Sequence, residues 1–336
     1  MKGRDILILA AVLLVGGFAV ADSLRNEAAG DGSAPQRETT EATTEASAVA
    51  EEDDDLGRAF YPSVSGAGGS VVITQTGSCA VREFDLPTGL ELPNVVARST
   101  CELWVAPVTG KVAVGIGELV GDAAPFRFVD LNRPSRDLGS SEALFGFLIW
   151  SNDAQRAAWC NRRRVGIDLE LGAGRRLLPD CPAAYTPDGD IAFAEGNRLV
   201  VEGRTVMRAS GGITNVHYGR DDSVAVVVEG RRIERRQSGQ LTDTLDLPAR
   251  FQGRLPVFSP DNCGAIFRSD DRVRLLNVGC LAPSLDLSFP GHVGAWSPDG
   301  RWLAVGGPTE LTFYDLEGGE PVVWPVGAVE IGWRRG

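Results

Sequence analysis

The sequence predicts an all-β fold in which small four-stranded antiparallel sheets are copied around a ring. Three observations predict it. A strand–turn–strand unit recurs along the chain, and an aromatic residue recurs at one place in each unit. The chain also ends on a lone inner strand, while matching strand material is left over where the array begins. The clearest unit is Trp296-Ser297-Pro298-Asp299-Gly300-Arg301-Trp302-Leu303-Ala304-Val305. Pro298 presets φ for a tight turn, Asp299 supplies a side-chain acceptor, and Gly300 accepts positive φ. Trp302 and Ala304 then alternate as a sheet strand requires.

Close relatives of this unit are Tyr185-Thr186-Pro187-Asp188-Gly189 before Ile191-Ala192-Phe193, and Phe258-Ser259-Pro260-Asp261 before Ala265-Ile266-Phe267. Looser ones begin at Tyr218-Gly219-Arg220-Asp221, Trp150-Ser151-Asn152-Asp153 and Trp104-Val105-Ala106-Pro107. Asp188, Gly189, Asp261, Asp299 and Gly300 recur with the unit, so they read as turn formers. A second signature, an outer strand running into a Gly-containing turn, closes each unit. It reads Phe84-Asp85-Leu86-Pro87-Thr88-Gly89, Ile167-Asp168-Leu169-Glu170-Leu171-Gly172, Leu276-Asn277-Val278-Gly279 and Tyr314-Asp315-Leu316-Glu317-Gly318. In three units it follows the aromatic slot by roughly 17 or 18 residues, a constant internal phase.

The slots are Trp104, Trp150, Tyr185, Tyr218, Phe258, Trp296 and Trp333, spaced by roughly 33 to 46 residues. A period near ~40 residues with about four short strands per unit marks a propeller blade. The units resemble the TolB-type propeller repeat, a relative of the WD repeat. The resemblance covers most of residues 60–336 and implies a β-propeller. The terminal Trp-Asp pair of true WD repeats is missing. The slot aromatics are expected to pack between blades. The last strand, Val329 to Trp333, is expected to join Val71-Val72-Ile73-Thr74 and close the ring, which removes exposed edges. Seven blades are expected, with six as the alternative.

The N-terminus addresses the compartment. Lys2 and Arg4 precede an uncharged run from Ile6 to Ala21, closed by Asp22. A basic start before an apolar run directs the chain across a membrane. Roughly 16 residues is slightly under the ~17–25 of a spanning helix. Residues 1–21 are therefore expected to be a transmembrane signal anchor. The alternative is a signal peptide cut after Ala19-Val20-Ala21, giving a secreted protein. Residues 22–58 hold 11 acidic and 3 basic residues and no aromatic. Such a segment buries too little area to offset its ordering entropy, so it is expected to be a disordered acidic linker. The propeller is expected over 59–336.

Net charge is −12 over 336 residues, which argues against nucleic acid as a partner. The six cysteines fall into three local couples, Cys79 with Cys101, Cys160 with Cys181, and Cys263 with Cys280, each expected inside one blade. Six cysteines permit about 15 connectivities. Export to an oxidising space favours disulfides. Zinc is disfavoured, because no Cys-x-x-Cys occurs and neither His217 nor His292, each expected just before an inner strand, is near a couple. No G-x-S-x-G occurs, and Asp221-Asp222 and Asp270-Asp271 fall in expected turns. Arg162-Arg163-Arg164 and Arg231-Arg232 with Arg235-Arg236 read as solvated faces, or as docking sites for an anionic partner.

No catalytic residue, cofactor or metal is assigned. The expected function is an extracytoplasmic, membrane-tethered, monomeric binding or scaffolding module for a protein or envelope polymer. The alternative is a propeller hydrolase or lyase acting on an envelope sugar or peptide. That reading needs carboxylates or histidines from several blades to converge at the central channel.

Overall fold

The structure is a computed structural model that describes residues 59–93, 101–106, 111–115, 123–132, 137–144, 148–161, 163–171, 173–247, 256–269, 272–279 and 287–335. The expected signal anchor (1–21) and acidic linker (22–58) lie outside these residues. Among the described residues every regular element is a strand. The first two are β1 (Ser70–Gln75) and β2 (Val81–Asp85). Blade 1 follows with β3 (Leu103–Val105), β4 (Lys111–Gly115), β5 (Ala123–Asp130) and β6 (Asp137–Leu144). Blade 2 has β7 (Leu148–Trp150), β8 (Arg156–Cys160), β9 (Gly166–Glu170) and β10 (Gly174–Leu178). Blade 3 has β11 (Pro182–Tyr185), β12 (Ile191–Glu195), β13 (Arg198–Val201) and β14 (Arg204–Arg208). Blade 4 has β15 (Ile213–Tyr218), β16 (Ser223–Val228), β17 (Arg232–Gln237) and β18 (Gln240–Asp246). Blade 5 has β19 (Val257–Phe258), β20 (Gly264–Ser269), β21 (Arg272–Asn277) and β22 (Leu287–Pro290). Blade 6 has β23 (Val293–Trp296), β24 (Trp302–Gly306), β25 (Leu311–Asp315) and β26 (Val322–Trp324). The last strand, β27 (Ala328–Arg334), pairs with β1, so the closing blade runs β2-β1-β27. Phe84 also bridges Glu91, which adds a fragment of a fourth strand.

The fold is a seven-bladed β-propeller, and the six-blade alternative is excluded. Each four-stranded blade is a meander in chain order, because consecutive antiparallel strands need only short turns. Blades stack face to face, so their middle strands are covered on both sides. That is why β24 is buried throughout and β16 reads as an apolar run, while outer β10 is mostly exposed. All seven slot aromatics lie on the innermost strands: Trp104 on β3, Trp150 on β7, Tyr185 on β11, Tyr218 on β15, Phe258 on β19, Trp296 on β23 and Trp333 on β27. Two of the indoles tie neighbouring blades directly through backbone carbonyls. The Trp150 indole donates to the Trp104 carbonyl at 3.2 Å, and Trp296 to the Val257 carbonyl at 3.0 Å.

Closure rests on six paired residues, from Ser70 opposite Arg334 to Gln75 opposite Ala328. Arg334 reaches across β1 to the buried Glu83 of β2, which also accepts from the Ser70 hydroxyl. Trp333 donates to the Gly68 carbonyl at 3.1 Å, and Trp324 of blade 6 to that of Pro62 at 2.8 Å. Tyr61 stacks on Trp324 with ring centroids 5.1 Å apart. Gly332 lies against blade 1, where a Cβ would collide with the Val105 side chain. Both ends of the described chain thus pack into one aromatic layer with Phe84 and Phe313.

The layer between blades 2 and 3 is different. Its apolar cluster has only three buried members, Ala158, Tyr185 and Ile191. Asp168, 3% exposed, sits beside them and takes ion pairs from Arg156 and from Arg176 at 2.7 Å. The Tyr185 hydroxyl donates to it at 2.7 Å. Burial raises the Asp168 pKa, but the bonds from Arg156, Tyr185 and Arg176 outweigh that and hold it below the ordinary value. A disulfide joins Cys160, at the end of β8, to Cys181, just before β11, with Cα atoms 5.3 Å apart. The second disulfide joins Cys79, in the β1–β2 turn, to Cys101, just before β3, with Cα atoms 4.6 Å apart.

These pairings corrected one expectation: both bridges cross from one blade to the next. The cause is topological. The second strand of a blade ends at the same edge where the next blade's first strand begins. Cys263 lies in the β19–β20 turn, and Cys280 is outside the described residues.

Deleting residues 329–336 removes most of β27. The variant is expected to melt at least about 10 °C lower in calorimetry, with reduced cooperativity. Parent-like melting would refute closure by this strand. Asp168→Asn leaves two guanidiniums without their carboxylate, at an expected cost of about 3 kcal/mol in urea unfolding at pH 7. The Asp168 contribution is present above the ordinary carboxylate pKa and is lost as pH falls through the depressed folded value. The variant should therefore lose less stability than the parent when acidified below about pH 4.

Candidate functional site

The turn that leaves each inner strand builds one face of the ring. In blade 6 the Ser297 hydroxyl donates to Asp299 and accepts from the Trp302 amide at 2.8 Å, while Asp299 accepts from the Arg301 amide at 3.1 Å. Blade 5 repeats this: Ser259 accepts from the Gly264 amide at 2.8 Å, and Asp261 from the Cys263 amide at 3.0 Å. Blade 2 repeats it again with Ser151 and Asp153. The Ser151 hydroxyl, then the Gln155 amide, hold Asp153 below its ordinary pKa. Blade 3 has a shorter form, where the Asp190 amide donates to Thr186 at 3.0 Å.

The left-handed position is Gly300 in blade 6 and Gly189 in blade 3, at φ of 80° and 88°. Asn262, Ala154 and Asp222 take it elsewhere, at φ of 59°, 54° and 58°. Asp261 and Asp299 therefore sit in turns as their recurrence implied, and Asp188 lies in the blade 3 turn beside Gly189.

Inside these turns lies a cavity of about 730 Å³ to which all seven blades contribute. Val105, Asn152 and Pro187 come from blades 1 to 3, His217 to Arg220 from blade 4, and Val257 and Phe258 from blade 5. Blade 6 adds His292 to Pro298, and the closing blade adds Glu330 to Trp333 and Arg335. A space shared by every blade is the central channel, and the turn residues Pro187, Arg220, Pro260 and Pro298 place it at one mouth.

The rim is knitted where blades 4 and 5 meet. Arg220 donates its amide to the Pro260 carbonyl at 2.8 Å. The buried Asn262 side chain donates to the Ser223 hydroxyl at 2.9 Å and to the Ser223 carbonyl at 3.2 Å. Its Oδ1 lies 2.7 Å from His217 Nδ1, which with Nδ2 donating makes Nδ1 the protonated ring nitrogen. His217 stacks on Phe258 with centroids 5.6 Å apart. Burial pushes its pKa down, partly offset by Asn262 and Asp261. His217 lies within β15, not before it as expected; His292 does immediately precede β23.

The basic runs are largely engaged. Arg232 pairs with Asp246 at 2.9 Å, Arg236 with Glu234 at 3.5 Å, and the buried Arg235 with Asp221 at 2.8 Å. Arg163 and Arg164 are exposed, while Arg162, Asp270 and Asp271 lie outside the described residues. Among the described residues no three His, Cys, Asp or Glu side chains are grouped to hold a metal ion. Sequence reasoning missed Arg335, and treated Arg220 only as part of a degenerate turn.

Fold and site together define a seven-bladed β-propeller with a channel mouth framed by prolines and arginines. No protein-family model matches the chain, and no curated protein matches it. Among solved structures it is similar to Kuenenia stuttgartiensis hydrazine synthase, at 15% identity over 64% of this chain and 76% of that one, with a TM-score of 0.45. It is also similar to the β-propeller domain of Myceliophteria thermophila Cps50 (Swd1), at 15% identity over 70% of this chain and 90% of that one, with a TM-score of 0.48.

A depressed histidine pKa makes folding pH-dependent. Stability is fully present above the ordinary value of about 6.5 and falls as pH drops toward the folded-state value. His217→Gln removes that titration, so the loss between about pH 6.5 and pH 5 should flatten in thermal melts. An unchanged slope would show that His217 is not the group responsible.

Proposed function

We propose that this chain is a binding or scaffold propeller of the cell envelope, exported and held to the membrane by its N-terminal segment. The observation that carries the binding reading is the channel mouth assembled from all seven blades. A site of that kind takes a ligand through loops on a rigid scaffold. The two inter-blade disulfides fit an oxidising compartment. The basic-then-apolar N-terminus and the acidic linker supply the tether in this reading. The TolB-like repeat supports an envelope role by analogy of fold. The hydrolase or lyase alternative would need its acid–base groups at the same mouth. There His217, His292 and Glu330, from three different blades, do line the cavity, and His217 Nδ1 is bonded to Asn262.

Site-directed photo-crosslinking in producing cells tests the binding reading. A photoreactive residue at Pro298, on the mouth, should give a discrete adduct. One at Val323, on outer strand β26, should not. Adducts from Val323 and none from Pro298 would overturn the assignment of the mouth. Protease added outside cells with a permeabilised outer layer should degrade the propeller; full protection would overturn the compartment.

A further inference from the structure

Two arginines enter the same cavity from different parts of the ring. Arg220 belongs to the turn after β15 in blade 4, and Arg335 follows β27 in the closing blade; both line the channel mouth. Both side chains are exposed, and neither makes an ion pair within the described residues. Neighbouring arginines differ. Arg235 is held by Asp221, Arg301 by Asp315, and Arg334 by Glu83. Partial burial, then the Arg335 charge, push the Arg220 pKa down, and Asp299 and Asp261 pull it back. Each of those two carboxylates accepts through Oδ1 from an amide of its own turn, that of Arg301 or of Cys263.

Two like charges held toward one space repel unless an anion lies between them. Their convergence brings two positive charges to a cavity lined, among the described residues, by one carboxylate, Glu330. An oxyanion placed there relieves the repulsion and gains charge-assisted hydrogen bonds from two guanidiniums. The adjoining wall is mixed, with Val105, Phe258, Ile331 and Trp333 as its apolar part and His292 and Glu330 as polar members. A volume of about 730 Å³ suits a small organic molecule rather than a lone ion.

We propose that the channel mouth binds a small amphiphilic anion, its carboxylate or phosphate head clamped between Arg220 and Arg335 and its apolar body against Phe258, Ile331 and Trp333. This deepens the reading of the mouth as the binding site and rests on it.

Isothermal titration of the purified full chain tests the proposal with phenyl phosphate, benzoate, inorganic phosphate and benzyl alcohol. Phenyl phosphate or benzoate should bind, and the tighter of the two names the head group. Inorganic phosphate and benzyl alcohol should each bind at least about tenfold more weakly, since one lacks the body and the other the charge. Arg220→Gln and Arg335→Gln should each weaken the anion about tenfold while melting like the parent. Binding should also weaken as salt rises.

The proposal is overturned if neither amphiphilic anion binds the parent. It is also overturned if both bind the Arg220→Gln/Arg335→Gln double variant as tightly as the parent. A Pro298 adduct without anion binding would sink this proposal and leave the mouth as a docking site. Arginine-dependent anion binding without an adduct would support it and confine the mouth to small ligands.

Discussion

The structure depends on one strand pairing between the two ends of its array. β27 lies along β1, and Arg334 passes over that strand to reach Glu83, a partner 251 residues away in sequence. Without it, six meanders would form an open arc with two bare edges. Bringing such distant segments together costs loop-closure entropy that local contacts do not repay. Here the return comes from a buried ion pair, a six-residue ladder and an aromatic layer holding Tyr61, Phe84, Phe313, Trp324 and Trp333. Glu83 and Arg334 depend on each other, because either one left alone would be a buried, uncompensated charge.

The ring repeats its backbone but not its chemistry. Where blade 6 meets the closing blade, aromatic packing fills the layer. Where blade 2 meets blade 3, the apolar cluster is small. The same space is occupied by Asp168, with Arg156, Arg176 and Tyr185, and is backed by the Cys160–Cys181 bridge. A ring transmits a weakness at one seam to all the others, since every blade needs both neighbours. Covalent and ionic reinforcement is therefore most useful where hydrophobic burial is least.

The same turns that end the inner strands also set the mouth of the channel. Serine and aspartate side chains satisfy the turn amides, so the rim keeps its shape without leaning on the cavity. Between blades 4 and 5, Asn262 links one turn to Ser223 and His217 of the preceding blade. Arg220 projects from this braced rim with its backbone already bonded to Pro260. Its guanidinium is consequently available to a ligand, and little ordering is left to be done on binding.

Much of the fold is legible in the letters. Aromatic slots placed all seven inner strands, the turn motif placed the hairpins, and the leftover strand at the end announced closure. These are short-range properties, alternation and turn stereochemistry, that each segment carries by itself. Register is subtler. Asp168 and Asp315 share a motif, yet Glu170 faces Arg156 where Asp315 faces Trp302, so Asp168 belongs to the buried seam.

Spacing paired Cys79 with Cys101 and Cys160 with Cys181, but only the stacking of blades showed that each bridge spans two of them. The channel mouth was least legible, because Arg220 and Arg335 come to line one cavity only once the ring shuts. Sequence alone thus determined the repeating unit and its closure, through rules that act over a few residues. Tertiary structure decided which charges were matched and which were left facing the cavity, because that depends on side chains delivered to one point by blades far apart in the chain.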